Sequence, residues 1–69
     1  MPDSVYKMIE VIGTSTESWE AAAASAVSRA AGSLRDLRIA EVTAQDVVIE
    51  NGKVTTYRTK LKVSLKLED

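Results

Sequence analysis

The stretch NGKVTTYRTKLKVSLKL, residues 51–67, decides the fold. Asn51-Gly52 is typical of a type I′ turn, because both residues tolerate a positive φ. Lys53 to Leu67 is the clearest strand of the chain, because from Thr55 onward the odd positions are largely apolar and the even positions polar, which is the period of a strand with one buried and one solvated face. The preceding segment, Leu34 to Ile49, is also rich in β-forming residues. The sequence therefore predicts a long β-hairpin.

The register of this hairpin follows if pairing runs outward from Glu50 opposite Lys53. Three pairs then match in character: Ala40 with Val63, Glu41 with Lys62, and Val42 with Leu61. Thr43 falls opposite Lys60 and Gln45 opposite Arg58. Asp46 falls opposite Tyr57 on the apolar face, so we expect a bulge near Asp46 that resets the alternation.

A strand and a helix precede the hairpin. Val5 to Ile12 is rich in β-branched and aromatic residues. Thr14 and Glu17 have capping-box spacing, which predicts a helix that starts near Ser15. Gly32 is expected to end it as a left-handed C-cap. The less polar positions recur at three- and four-residue spacing, as on one buried helical face: Trp19, Ala22, Ala23, Ala26, Val27, Ala30, Ala31, Leu34.

The alanines of this face predict how the layers pack. Alanine fills little volume, so the helix must lie very close to the sheet that covers it. The element order gives an α+β fold, β-α-β-β, in which a three-stranded antiparallel sheet curves around one helix. We expect a single domain over residues 1–69. Its core is thin, which makes the sheet edges and the polar sheet face natural assembly surfaces.

Composition narrows the function classes. A chain of 69 residues buries only about 60% of its unfolded surface. It contains no Cys and no His, which excludes disulfides and ordinary zinc, copper and haem sites. Oligomerisation is the stabilising route that remains, with a hard cation held by oxygen ligands as the alternative. A net charge of −1 argues against nucleic acid as a partner. The chain shows neither a secretory signal nor a membrane-length apolar run, which predicts a cytoplasmic protein.

The side chains also argue against catalysis. Ser-His and Cys-His pairs are impossible, and the carboxylates and the three glycines have local explanations in caps, turns and cross-strand pairs. We therefore expect no enzyme. The basic row Arg58, Lys60, Lys62, Lys66 has two interpretations, a solvated strand face or an anion-binding surface. Trp19 is interpreted as a core or interface anchor, with a ligand platform as the alternative.

Several segments resemble the dodecins over nearly the whole chain: residues 5–15, VYKMIEVIGTS; the alanine-rich helix; Ala40-Glu41-Val42; and residues 56–63, TYRTKLKV. The resemblance implies the β-α-β-β fold and a hollow homododecameric shell. It also implies a non-enzymatic role in which a flavin such as riboflavin or FMN is bound and sequestered.

The resemblance also implies a ligand site at Ile39, Gln45 and Arg58. Ile39 stands where flavin-binding dodecins have a tryptophan that stacks on the flavin ring, and Arg58 stands where they have a glutamine that hydrogen-bonds the ring edge. Gln45 supplies a polar group after Ala40-Glu41-Val42. Loss of an aromatic stack typically costs about 1–3 kcal/mol per ring. We therefore expect weakened flavin binding.

The calcium-dodecin subgroup is more similar, with Ser18-Trp19-Glu20 at the helix start and Tyr57-Arg58 in the third strand. It implies the same shell with calcium as the bound ion, and its metal ligands are not assigned to positions of this sequence. Coenzyme A-like anions, bound by some members, would suit the basic row. A purely structural assembly without a physiological ligand is the competing hypothesis.

Overall fold

The computed structural model describes residues 3–67 and has the element order β-α-β-β. Strand β1 spans Tyr6–Ser15, helix α1 Trp19–Ala31, strand β2 Leu37–Glu50 and strand β3 Lys53–Lys66. All strand pairs are antiparallel, and β3 lies at the centre of the sheet, in the order β1-β3-β2. The predicted fold is confirmed. Strand β1 runs three residues beyond the predicted end at Ile12.

The hairpin register is confirmed at both ends and wrong in the middle. Glu50 pairs with Lys53, and Ala40, Glu41 and Val42 pair with Val63, Lys62 and Leu61 as predicted. The register shifts between Val42 and Ala44, three residues before the expected bulge, and shifts back between Val48 and Ile49. Asp46 therefore lies opposite Arg58, Gln45 opposite Thr59, and Val47 opposite Tyr57.

The turn chemistry of the hairpin is confirmed. Asn51 has φ 52° and Gly52 has φ 75°, both in the left-handed region that a type I′ turn requires. The hairpin is therefore closed by the two residues that the sequence predicts.

The helix starts later than predicted, at Trp19. Ser18 is the N-cap, and its hydroxyl accepts a hydrogen bond from the Ala21 amide at 3.0 Å. The Thr14–Glu17 capping box is wrong, because β1 continues to Ser15, whose hydroxyl accepts from the Glu17 amide at 2.9 Å. Gly32 ends the helix with φ −70°, so the predicted left-handed cap is wrong as well.

The core lies between α1 and the odd-numbered face of β3. Ala22, Ala26, Leu61 and Val63 are buried there. Gly13, near the C-terminal end of β1, lets the helix approach: a Cβ at this position would overlap the Ala22 carbonyl oxygen and lie 2.9 Å from the Ala26 Cβ. The predicted close packing of an alanine helix is confirmed, and Gly13 has a packing role rather than the expected turn role.

The molecule is too extended for a self-contained domain of its mass. Its radius of gyration is 14.4 Å and its principal extents are 55 × 20 × 13 Å, whereas a compact chain of this length has a radius of about 11 Å. The accessible surface is 5221 Å², and about 4,200 Å² is usual for this mass. Between residues 3 and 67, no helix has the length and apolar character needed to cross a membrane.

Candidate ligand-binding site

An ion pair between β2 and β3 is the strongest polar contact on the outer face, by which we mean the sheet face turned away from α1. Arg58 Nε and Nη2 donate to Asp46 Oδ1 and Oδ2 at 2.6 and 2.8 Å. This is the bidentate fork geometry that gives Arg–carboxylate pairs their directionality. Lys60 Nζ lies 3.9 Å from Asp46 Oδ2 and adds a weaker attraction.

These contacts stabilise the charged form of both groups. The hydrogen bonds from Arg58 lower the pKa of the Asp46 carboxyl, against a smaller desolvation effect, and the positive charges of Arg58 and Lys60 act in the same direction. The same bonds raise the pKa of the Arg58 guanidinium. The pair is thus charged throughout the physiological pH range, and its salt-bridging oxygens are occupied by a partner in the same protomer.

The start of the helix is tied to this pair through Trp19. The indole Nε1 donates to the Asp46 carbonyl oxygen at 3.1 Å, and the ring meets Tyr57 edge to face with centroids 5.1 Å apart. The fully buried Thr59 hydroxyl donates to the Trp19 carbonyl at 2.9 Å. Trp19 therefore anchors the helix to both hairpin strands, which supports its interpretation as a core anchor.

This junction was missed by sequence reasoning, although one signal for it was present. In the predicted register Asp46 stood as a misplaced charge on the apolar face. A bulge placed at Thr43 would have brought Asp46 opposite Arg58, a cross-strand pair of opposite charges. Nothing in the sequence indicated the hydrogen bond from Trp19.

The three residues expected to bind ligand do not converge within one protomer. Ile39 is 69% exposed on β2, opposite Ser64. Gln45 lies six residues further along the same strand, about 20 Å away at the usual strand rise, and is opposite Thr59, which lies under the helix. Arg58 is on the outer face and is held by Asp46. A site that uses all three would have to combine residues of different protomers.

The basic row of β3 is partly neutralised on the outer face. Lys62 stands between Glu10 of β1 and Glu41 of β2 in the strand register, and Arg58 is paired with Asp46. Alternating charges of this kind stabilise a sheet face and reduce its attraction for anions. The arrangement favours the interpretation as a solvated strand face.

Among the hollows in the described part of the chain, two are open and of similar size. The first, about 420 Å³, lies between α1 and β1 and is lined mainly by apolar side chains. The second, about 350 Å³, is lined by Glu10, Ile12, Thr43 and Lys60 together with two core residues. Neither is lined by Ile39, Gln45 or Arg58.

The described residues of one protomer hold no cluster of carboxylates of the kind that binds calcium. Calcium takes six to eight oxygen ligands, yet within residues 3–67 no three Asp or Glu side chains come together. Asp46 is already engaged by Arg58, and Glu10 and Glu41 flank Lys62.

Comparison with known proteins places the chain in a family. Residues 5–68 match the family model described as dodecin. A calcium dodecin of Mycobacterium tuberculosis is 53% identical over 64 residues, which cover 93% of this chain and 90% of that protein. A dodecin of Thermus thermophilus is 40% identical over 65 residues, 94% of each chain.

Solved structures agree with these sequence matches. The M. tuberculosis calcium dodecin, whose crystal structure is described as having a novel calcium-binding site, superposes with a TM-score of 0.83 at 55% identity, over 94% of this chain and 93% of that one. Dodecin from Streptomyces coelicolor superposes with a TM-score of 0.93 at 38% identity, over 100% of this chain and 99% of that one. With matches that span almost its full length in sequence and in structure, the chain belongs to the dodecin family.

Proposed function

We propose that the protein is a non-enzymatic dodecin that assembles as a hollow homododecamer and binds calcium at sites shared between protomers. The observation that carries the choice of ion is the 53% identity to a calcium dodecin over nearly the whole chain. The absence of a carboxylate cluster among residues 3–67 of one protomer supports the shared location of the sites. The cytoplasmic location stays a prediction from the sequence.

The assembly is supported by what one protomer leaves uncovered. Its accessible surface exceeds that of a typical globular chain of the same mass by about a fifth. Large apolar side chains on all three strands are exposed, among them Met8, Ile12, Ile39, Val42 and Val54. A thin alanine core under such a surface gains stability when neighbouring copies cover the exposed apolar area.

Flavin is the alternative ligand, and the residues on the outer face of the sheet favour it less than calcium. Ile39 offers no ring for a flavin to stack on, and both donor groups of Arg58 that face Asp46 are occupied. Weak flavin binding at an aliphatic surface remains compatible with the family resemblance. The role we propose is binding in either case, and it is supported by the lack of His and Cys, which leaves no Ser-His or Cys-His pair for nucleophilic catalysis.

A native mass spectrum of the purified protein tests assembly and ligand together. We expect a mass of twelve protomers plus a whole number of calcium ions, with the excess removed by a chelator and restored by added calcium, and magnesium as the matched control. A monomer or dimer at micromolar concentration would refute the shell. Twelve protomers that take up no calcium would refute the ion and favour a purely structural assembly.

The substitution Ile39→Trp tests flavin binding. If Ile39 occupies the stacking position, an indole there should raise riboflavin affinity, measured by quenching of riboflavin fluorescence, by roughly 5- to 150-fold per stacked ring. Ile39→Leu is the control and should leave the affinity unchanged. Equal affinities for the two variants would show that Ile39 is not at the flavin-stacking position.

A further inference from the structure

The distal half of the β-hairpin extends past the rest of the molecule. Strand β1 pairs with β3 only as far as Ser15 opposite Tyr57. Beyond this point β2 and β3 pair only with each other, and we call residues 48–56 the hairpin arm. An isolated two-stranded ribbon is marginally stable in water. The arm therefore needs a covering surface.

The arm carries an exposed apolar pair. Ile49 and Val54 are opposite each other across the strands and are 64% and 50% exposed. They are flanked by Glu50 and Lys53, the pair next to the turn, both exposed. Side chains of this kind at the end of a projecting ribbon gain free energy when they are transferred from water into an apolar groove.

An apolar groove is present at the other end of the molecule. It has a volume of about 420 Å³, lies between β1 and the C-terminal half of α1, and is defined by Ile9, Val11, Ala26, Ala30, Leu34 and Arg29. We call it the helix–β1 groove. Arg29, exposed in the last turn of the helix, is the one charged side chain among its lining residues.

The arm and the groove of one protomer cannot meet. Ile9 in the groove is opposite Val63, which lies nine residues from Val54 along β3, about 30 Å at the usual strand rise. The groove of one copy is nevertheless open to the arm of another. A contact between two different surfaces of identical chains is heterologous, and such contacts close into rings or shells when the rotation is suitable.

We propose that the hairpin arm of each protomer docks in the helix–β1 groove of a neighbouring copy. Ile49 and Val54 lie against the apolar wall of the groove, and Glu50 lies beside Arg29. Glu50 and Lys53 form the next pair along the arm and lie on the ribbon face opposite to that of Ile49 and Val54. Charge complementarity therefore selects the orientation in which Arg29 reaches Glu50 along the β2 edge of the arm and Lys53, on the β3 edge, faces solvent. The inference rests on the homo-oligomeric shell proposed above and assigns one of its contacts to named surfaces.

Charge reversal tests this contact. Arg29→Glu and Glu50→Arg each place like charges together, so each should raise the protein concentration at which the assembly half-dissociates, by about tenfold or more. The double variant restores opposite charges and should return this concentration toward the wild-type value. The measurement is native mass spectrometry over a dilution series, with far-UV circular dichroism to confirm folding. Arg35→Glu, an exposed arginine that does not line the groove, is the matched control.

The possible outcomes distinguish a failure of the docking proposal from a failure of the proposed shell. The docking is supported if each single variant dissociates at a higher protein concentration than the wild type and the double variant assembles as the wild type does. Singles that match the wild-type assembly, or a double that dissociates at least as readily as the singles, overturn the docking and leave the shell intact. A wild-type protein that is monomeric overturns the shell and the docking together.

Discussion

Replacing Gly13 with alanine tests the close approach of α1 to β1. The new Cβ would overlap the Ala22 carbonyl oxygen and lie 2.8 Å from its carbonyl carbon and 2.9 Å from the Ala26 Cβ. Ordinary contact begins at 3.4 Å. The carbonyl carbon alone must therefore retreat by about 0.6 Å, and because it belongs to the helix backbone, the whole first half of α1 must move with it.

The cost of Gly13→Ala in free energy of unfolding is that of overpacking a core against the helix backbone. Overpacking a close-packed core typically costs 1–3 kcal/mol, and a clash with backbone, which has no rotamer to change, belongs at the upper end of this range. We expect Gly13→Ala to lower the free energy of unfolding by about 3 kcal/mol. For a small chain with a urea m-value of about 1 kcal/mol/M, the unfolding midpoint would fall by about 3 M.

The assay is urea unfolding followed by far-UV circular dichroism, with all variants at one protein concentration because assembly contributes to stability. Gly32→Ala is the matched control. Gly32 has φ −70°, and its nearest contact is the Arg29 carbonyl oxygen at 3.3 Å, so alanine there should change the unfolding free energy by less than about 1 kcal/mol. If Gly13→Ala is as stable as Gly32→Ala, the reasoning on close packing is refuted.

Three further perturbations address the junction and the helix start. Thr59→Val removes the hydrogen bond to the Trp19 carbonyl and should cost about 1 kcal/mol in the same urea series; no loss would show that this bond contributes nothing. Ser18→Ala removes the N-cap and should cost about 1 kcal/mol, whereas Ser25→Ala, exposed in mid-helix, should be neutral or slightly stabilising. The pKa of Asp46 is lowered in the folded state, so its ion pair stabilises the protein above the unfolded carboxyl pKa of about 3.9 and this contribution is lost as the pH falls through the folded value. Asp46→Asn should therefore flatten the acid limb of the stability profile, and an unchanged acid limb would contradict this.

The hairpin shows what local patterns can and cannot predict. Asn51-Gly52 sets the turn through backbone conformation alone, and the apolar alternation sets the pairs near Val42, so both ends of the register could be predicted. Two register shifts of opposite sense cancel between them. The first shift skips Thr43 of β2 and the second skips Thr55 of β3, so a pattern followed along β2 alone places a single bulge near Asp46 and misses the compensating one.

The predicted start of the helix was also wrong because a local pattern ignores the partner strand. Thr14 and Glu17 satisfy the capping-box pattern, but pairing with β3 keeps β1 extended through Ser15, and Ser18 then becomes the N-cap. Tertiary pairing overrides a local signal here. The ligand site at Ile39, Gln45 and Arg58 was assigned by resemblance alone and stays a prediction, because these residues lie apart in one protomer.

Trp19 makes the junction between helix and hairpin visible without a label. It is the only tryptophan of the chain, and its indole has one hydrogen bond to the Asp46 carbonyl and one edge-to-face contact with Tyr57. Its emission spectrum therefore reports on one place, where α1, β2 and β3 meet. A red shift of this emission on dilution would show that the junction loosens. If the red shift occurs at the same protein concentration as dissociation of the assembly, a protomer does not keep its fold alone; if the assembly dissociates without a red shift, it does.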